Sequence, residues 1–79
     1  SLAEVRNPLL SLPSAKALRR LPPEARVALR LLLIDIRKDA KVRADTAWRK
    51  HKAPMAAYRK ALSVYAGHTA RLLRDQEAK

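Results

Sequence analysis

Apolar residues recur at helical spacing along most of the chain. Leu29, Leu33, Ile36, Ala40, Ala44, Ala47 and His51 follow one another at steps of three and four and fall on one stripe. Leu32 and Ala25 widen it. In the first half of this segment Val27, Leu31 and Ile34 add a second apolar face, so that end is expected to be covered on two sides by the chain that precedes it. In the second half the stripe narrows to alanines, which lets another helix approach closely. Further along, Tyr58, Leu62, Tyr65, Thr69, Leu72 and Gln76 make a second stripe, flanked by Met55, Ala66 and Leu73. It is the expected seam with the first. Gly67 falls off this stripe, costs about 1 kcal/mol relative to alanine, and marks either a close contact or nothing.

Prolines set the boundaries. Asn7-Pro8 and Leu12-Pro13 punctuate residues 1–12, which read as an arm whose Leu2, Val5, Leu9, Leu10 and Leu12 pack on the helices beyond it. A short helix is expected over 13–21, with Leu18 and Leu21 inward, stopping before Pro22. Pro22-Pro23-Glu24 opens a long helix over 23–52, because proline suits the first turn and Glu24 complements the dipole. Ala53, ahead of Pro54, is disfavoured in the α region and is the expected break. A last helix runs over 54–75, and residues 77–79 fray. Asp39 with Arg43 and Asp45 with Arg49 are i,i+4 pairs in the favourable order.

A short connection folds two such helices back on each other. The expected fold is therefore all-α, with an N-terminal arm and short helix followed by an antiparallel hairpin of two long helices. That seam leaves Leu31, Ile34 and Val64 needing cover. A homodimer forming a helical bundle would supply it.

Length and composition narrow the classes. Seventy-nine residues make a single small domain (1–79) with a modest core. There are no cysteines, so disulfides and cysteine-based zinc sites are excluded, which suits a reducing compartment. The longest apolar run, Leu31 to Ile34, is far short of the ~20 residues of a membrane span. The first twenty residues carry prolines and charges where a secretory signal has an apolar core.

The formal net charge of +11 changes the picture more. It speaks to partners, and nucleic acid, an anionic membrane and an acidic protein all qualify. The excess is concentrated at residues 48–60, the expected hairpin tip, where Arg49, Lys50, Lys52, Arg59 and Lys60 occur without a carboxylate. Such a cluster can bind phosphates, and Trp48 and Tyr58 beside it can stack a base. The alternative is a solvated turn that keeps the protein in solution. Trp48 has two readings as well. The favoured one is a lid packed on Met55 or Tyr58 across the turn; exposed, it becomes a binding residue.

Catalytic chemistry finds no foothold. His51 and His68 belong to no His-x-x-x-His or Glu-x-x-His set, so no metal is expected. Ser63 has no histidine one helical turn away, and Asp35, Asp39 and Asp45 are spaced as helix-face ion pairs. With one glycine there is no phosphate-cradling loop. A helix-turn-helix over 14–37 is disfavoured, since its second helix would be apolar nearly all round. The chain reads as a non-enzyme without cofactor or small-molecule substrate.

Several runs carry a resemblance: Arg6 to Pro13, Leu21 to Arg26, Trp48 to Tyr58, and Tyr65 to His68. Across most of its length the chain resembles small uncharacterised helical proteins of proteobacterial phages and prophages. The resemblance implies a bacterial cytoplasmic setting and an accessory role in infection or lysogeny. It carries no known site.

The leading expectation is a binding module that engages nucleic acid through the tip. The runner-up is a phage-type accessory protein that modulates a host protein with an acidic surface. A peripheral membrane role ranks third, because the turn lacks a bulky exposed apolar face.

Overall fold

The computed structural model describes residues 7–74. Leu2 and Val5 of the expected arm, Gln76 of the expected stripe and the expected fraying at 77–79 lie outside them. A 3-10 turn at Pro8–Ser11 leads into α1 (Ala15–Arg19), then α2 (Pro23–Arg49) and α3 (Ala53–Leu72). The fold is all-α, a short helix followed by two long helices packed against each other. The body measures 43 × 28 × 20 Å.

The start of α2 follows from its prolines. Pro23 occupies the first turn, Glu24 lies beside the positive end of the dipole, and Arg26 N–H donates to the Pro22 carbonyl at 3.0 Å. The Arg26 side chain also donates to the Leu21 carbonyl at 3.2 Å, fixing the corner between α1 and α2.

The end of α2 differs from expectation. The helix stops at Arg49, and the break falls at residues 50–52 instead of Ala53, which is already helical. The turn is a Schellman motif: Lys52 N–H donates to the Ala47 carbonyl at 2.9 Å and His51 N–H to the Trp48 carbonyl at 3.0 Å. This requires a left-handed residue, and His51 takes that place at φ 61°. His51 was expected on the inner stripe. It is exposed in the turn, because the helix ends before reaching it. The Lys52 carbonyl then accepts from Ala56 N–H at 2.9 Å and starts α3.

The seam is built from small residues. On α2, Ala40, Ala44 and Ala47 are buried, with Leu29, Leu33 and Ile36 half-buried, as the stripe predicts. Leu32 and Ala25, expected to widen the stripe, are exposed.

On α3 the expectation fails. The buried face is Ala56, Ser63, Ala66, Gly67 and Ala70, with Leu73 just beyond the helix. Tyr58 and Tyr65, at 60% and 52% exposure, point aside together with Leu62. Alanines facing alanines let the helices approach closely, and the bulky residues are displaced to one flank. Leu72, the stripe's last described member, is buried, and Leu10, Arg19 and Arg71 line the recess at its side.

The N-terminal segment also departs from expectation. The 3-10 turn and α1 pack on α3, not over the first half of α2. Val27 and Leu31 consequently stay more than half exposed. Asn7 anchors the segment: its buried side chain accepts from Leu9 N–H and donates to the His68 carbonyl, both at 3.1 Å.

Candidate nucleic-acid interface

Antiparallel packing and the Schellman turn gather Trp48, Arg49, Lys50, Lys52, Arg59 and Lys60 at one end of the hairpin. Arg49, Lys50, Lys52 and Lys60 are exposed. Asp39 and Arg43 form the expected ion pair at 2.8 Å, but among the described residues Asp45 and Arg49 do not pair. No described carboxylate lies in an ion pair with any of the five tip cations.

The six residues do not form one surface. Arg59 is half-buried, with its guanidinium carbon 5.8 Å from the centroid of the Tyr58 ring, within cation–π range. It belongs to the flank that carries Met55, Tyr58 and Leu62. Lys60 turns to the opposite flank and shares a recess with Trp48 and Asp45.

Trp48 is no lid. At 68% exposure it is the most exposed large apolar residue described, and Met55 and Tyr58, its expected partners, are themselves exposed. The indole instead borders a recess between the helices, lined by the buried Ala44 and Ala56 and by the exposed Ala53 and Ala57. Lys60 and Asp45 stand at the edge. A flat apolar face beside an ammonium group and alanine methyl groups can take a planar ring.

A second set of cations lies along the same flank: their helical spacing is present in the sequence, but the register that brings the two helices' sets together is not. Arg37 of α2 lies over Gly67 of α3: a Cβ at Gly67 would be 3.2 Å from Arg37 Cδ and 3.9 Å from Arg71 Nη1. Arg71 donates to His68 Nδ1 at 2.7 Å, which makes that nitrogen the acceptor of a neutral imidazole. Burial, and then the Arg71 charge, hold the His68 pKa below its ordinary value. The Tyr65 ring meets the same imidazole edge-on at 5.9 Å. Closer to the open end, Arg30 and Arg74 line a shallow recess with Val27 and Leu73.

Among the described residues, no group of three or more His, Cys, Asp or Glu side chains could hold a metal ion. No described helix is long and apolar enough to cross a membrane.

Fold and site together define a small, strongly basic helical hairpin with an exposed tryptophan beside its turn. No family model, curated protein or solved structure matches the chain.

Proposed function

We propose that this protein is a non-enzymatic binding module that engages nucleic acid through the cations at the closed end of the hairpin. One observation carries the reading. An exposed indole stands among Arg49, Lys50, Lys52 and Lys60, and none of these is paired with a described carboxylate. An excess of positive charge around an aromatic face, against the single carboxylate of Asp45 in the same recess, suits a phosphate backbone and its bases. The test is titration of labelled nucleic acid at increasing salt. Binding should weaken with a log–log slope of about −0.9 per phosphate contact on duplex, or about −0.7 on a single strand. Replacing Arg49, Lys50 and Lys52 with glutamate should abolish binding while helicity is kept. Equal binding by parent and variant, or no binding by the parent at low salt, would reject this reading.

A protein partner is the second reading, favoured by the flank of Met55, Tyr58, Leu62 and Tyr65. Nucleic acid held by the cations leaves this apolar surface uncovered. A second copy of the chain, or an acidic host protein in the bacterial cytoplasm that the phage resemblance implies, would cover it. Sedimentation tests self-association. Mixing with nuclease-treated lysate fractions tests the acidic host partner.

A further inference from the structure

Three pairs of residues line the same side of the hairpin, one member from α2 and the other from α3 or the residues just beyond it. Trp48 of α2 and Lys60 of α3 border one recess at the tip. Arg37 and Arg71 converge on Gly67 in the middle. Arg30 and Arg74 border another recess near the open end. The sequence explains the alignment. Arg30, Arg37 and Trp48 are separated by seven and by seven plus four positions, and Lys60, Gly67 and Arg71 by seven and by four. Each set therefore holds one edge of its helix along the packed length.

Gly67 makes the middle pair possible. Its missing side chain lets the Arg37 stem lie directly on α3, and Arg37 Nε and Arg71 Nη1 both stand within 4 Å of where a Cβ would be. No described carboxylate is ion-paired with Arg37 or Arg71, and the Arg71 guanidinium is bonded to a neutral imidazole nitrogen. Two like charges held near each other, with no described carboxylate ion-paired to either, create a local positive potential that an anion relieves.

We infer that the binding surface is a strip along this whole flank, and that it holds a single strand of nucleic acid lengthwise. The strand's phosphates lie on Lys60, Arg37, Arg71 and Arg30, and one base stacks on Trp48 beside the alanine-lined recess. This rests on the nucleic-acid reading and extends it from the tip to the body of the hairpin. From Arg30 to Trp48 the strip spans roughly 27 Å at 1.5 Å per residue. A single strand fits better than a duplex for two reasons. Its bases are free to stack on an indole, whereas duplex bases are already stacked on one another. The strip runs between the two long helices, and a body at least 20 Å across cannot seat it in a major groove about 12 Å wide.

The experiment uses the full chain and labelled oligothymidylates of about four to about twelve nucleotides. Anisotropy reports binding and the fluorescence of Trp48, the single tryptophan, reports stacking. Three variants are compared: Arg37→Ala with Arg71→Ala, Lys38→Ala with Arg43→Ala, and the Arg49, Lys50, Lys52 glutamate triple. The first two remove the same charge, but only the first touches the strip. Circular dichroism verifies that each is folded.

The strip requires that affinity rise with oligonucleotide length and that Trp48 emission be quenched. It also requires that the Arg37 and Arg71 pair cost at least about tenfold and lower the salt slope by about 0.7 per lost contact. The Lys38 and Arg43 pair should cost less than about twofold. Suppose that the glutamate triple abolishes binding while the Arg37 and Arg71 pair binds as the parent does. The strip is then wrong and the tip reading stands. Tighter binding to duplex than to single strand, with no change in Trp48 emission, also overturns the strip. A parent that binds neither at low salt overturns both.

Discussion

The side-chain amide of Asn7 is bonded to the main-chain carbonyl of His68, 61 residues further along, at 3.1 Å. The same side chain accepts from Leu9 N–H, so one residue caps the 3-10 turn and ties it to α3. Asn7→Ala should cost about 1–2 kcal/mol, the combined loss of a cap and a partly buried hydrogen bond. Asn7→Asp keeps the cap but sets an acceptor against an acceptor, so it should not restore stability. Thermal denaturation of the two variants checks this.

At Gly67 two effects oppose. Alanine gains about 1 kcal/mol of helix propensity, but its Cβ would stand 3.2 Å from Arg37 Cδ. Arg37 is exposed and flexible, so its stem can yield by a few tenths of an ångström. Gly67→Ala should therefore raise stability by up to about 1 kcal/mol. Gly67→Leu should lower it, because no comparable shift admits a branched side chain into the seam. Denaturant midpoints decide both.

His51 pays for its left-handed backbone. Histidine tolerates that region better than most residues, yet the conformation still costs about 1–2 kcal/mol that glycine escapes. His51→Gly should stabilise by about 0.5–1 kcal/mol after glycine's greater freedom in the unfolded chain is subtracted. For a domain of this size that corresponds to a rise in melting temperature of a few degrees, roughly 2–8 °C. His51→Val should lower it.

The His68 pKa is held below its ordinary value of 6.5, first by burial and then by Arg71. The folded state thus binds fewer protons than the unfolded one between the two values. The stability this contributes is present above pH 6.5 and is lost as pH falls from there through the folded value. Arg71→Ala should move the His68 titration upward, towards the ordinary value, as followed by the imidazole resonances. His68→Gln should flatten this part of the pH–stability profile.

Self-association should occur through the flank that carries Tyr58, Leu62 and Tyr65. Sedimentation at micromolar concentration should show a species above the 8.9 kDa monomer. Leu62→Glu with Tyr65→Glu should return it to monomer without loss of helix, since both residues stand outside the seam. A parent that sediments as monomer alone refutes this.

The two helices were unequally legible in the sequence. The stripe of α2 could be read because its buried residues, Ala40, Ala44 and Ala47, continue a run of larger apolar ones. On α3 two stripes compete. Weighting by size selects Tyr58, Leu62 and Tyr65, but contact is made by Ala56, Ser63, Ala66, Gly67 and Ala70. The missed signal was complementarity. A helix that narrows to alanines needs a partner that is equally small, and Gly67 was part of that face.

His51 and Trp48 were misplaced for a related reason. No glycine announces the Schellman turn, so the sequence predicts a helix running through His51 to residue 52, whereas it ends at Arg49. The lid expected of Trp48 needed Met55 and Tyr58 to face the seam. The charge of the tip was legible as a run of neighbours. The convergence of Arg37 with Arg71 was not, because it exists only once α3 is in register with α2.

A seam of alanines brings two helices close while burying little on either of them. Among the described residues no large side chain is wholly withdrawn from water. A fold held so lightly is one that a bound ligand would stabilise by a large fraction. By mass action, a ligand that binds only the folded hairpin, at about a hundredfold its Kd, adds about 2.7 kcal/mol. For a domain of this size that is a large share of the whole. On the nucleic-acid reading proposed above, occupancy and foldedness become a single equilibrium, and the lifetime of the protein in a cell should follow the abundance of its partner.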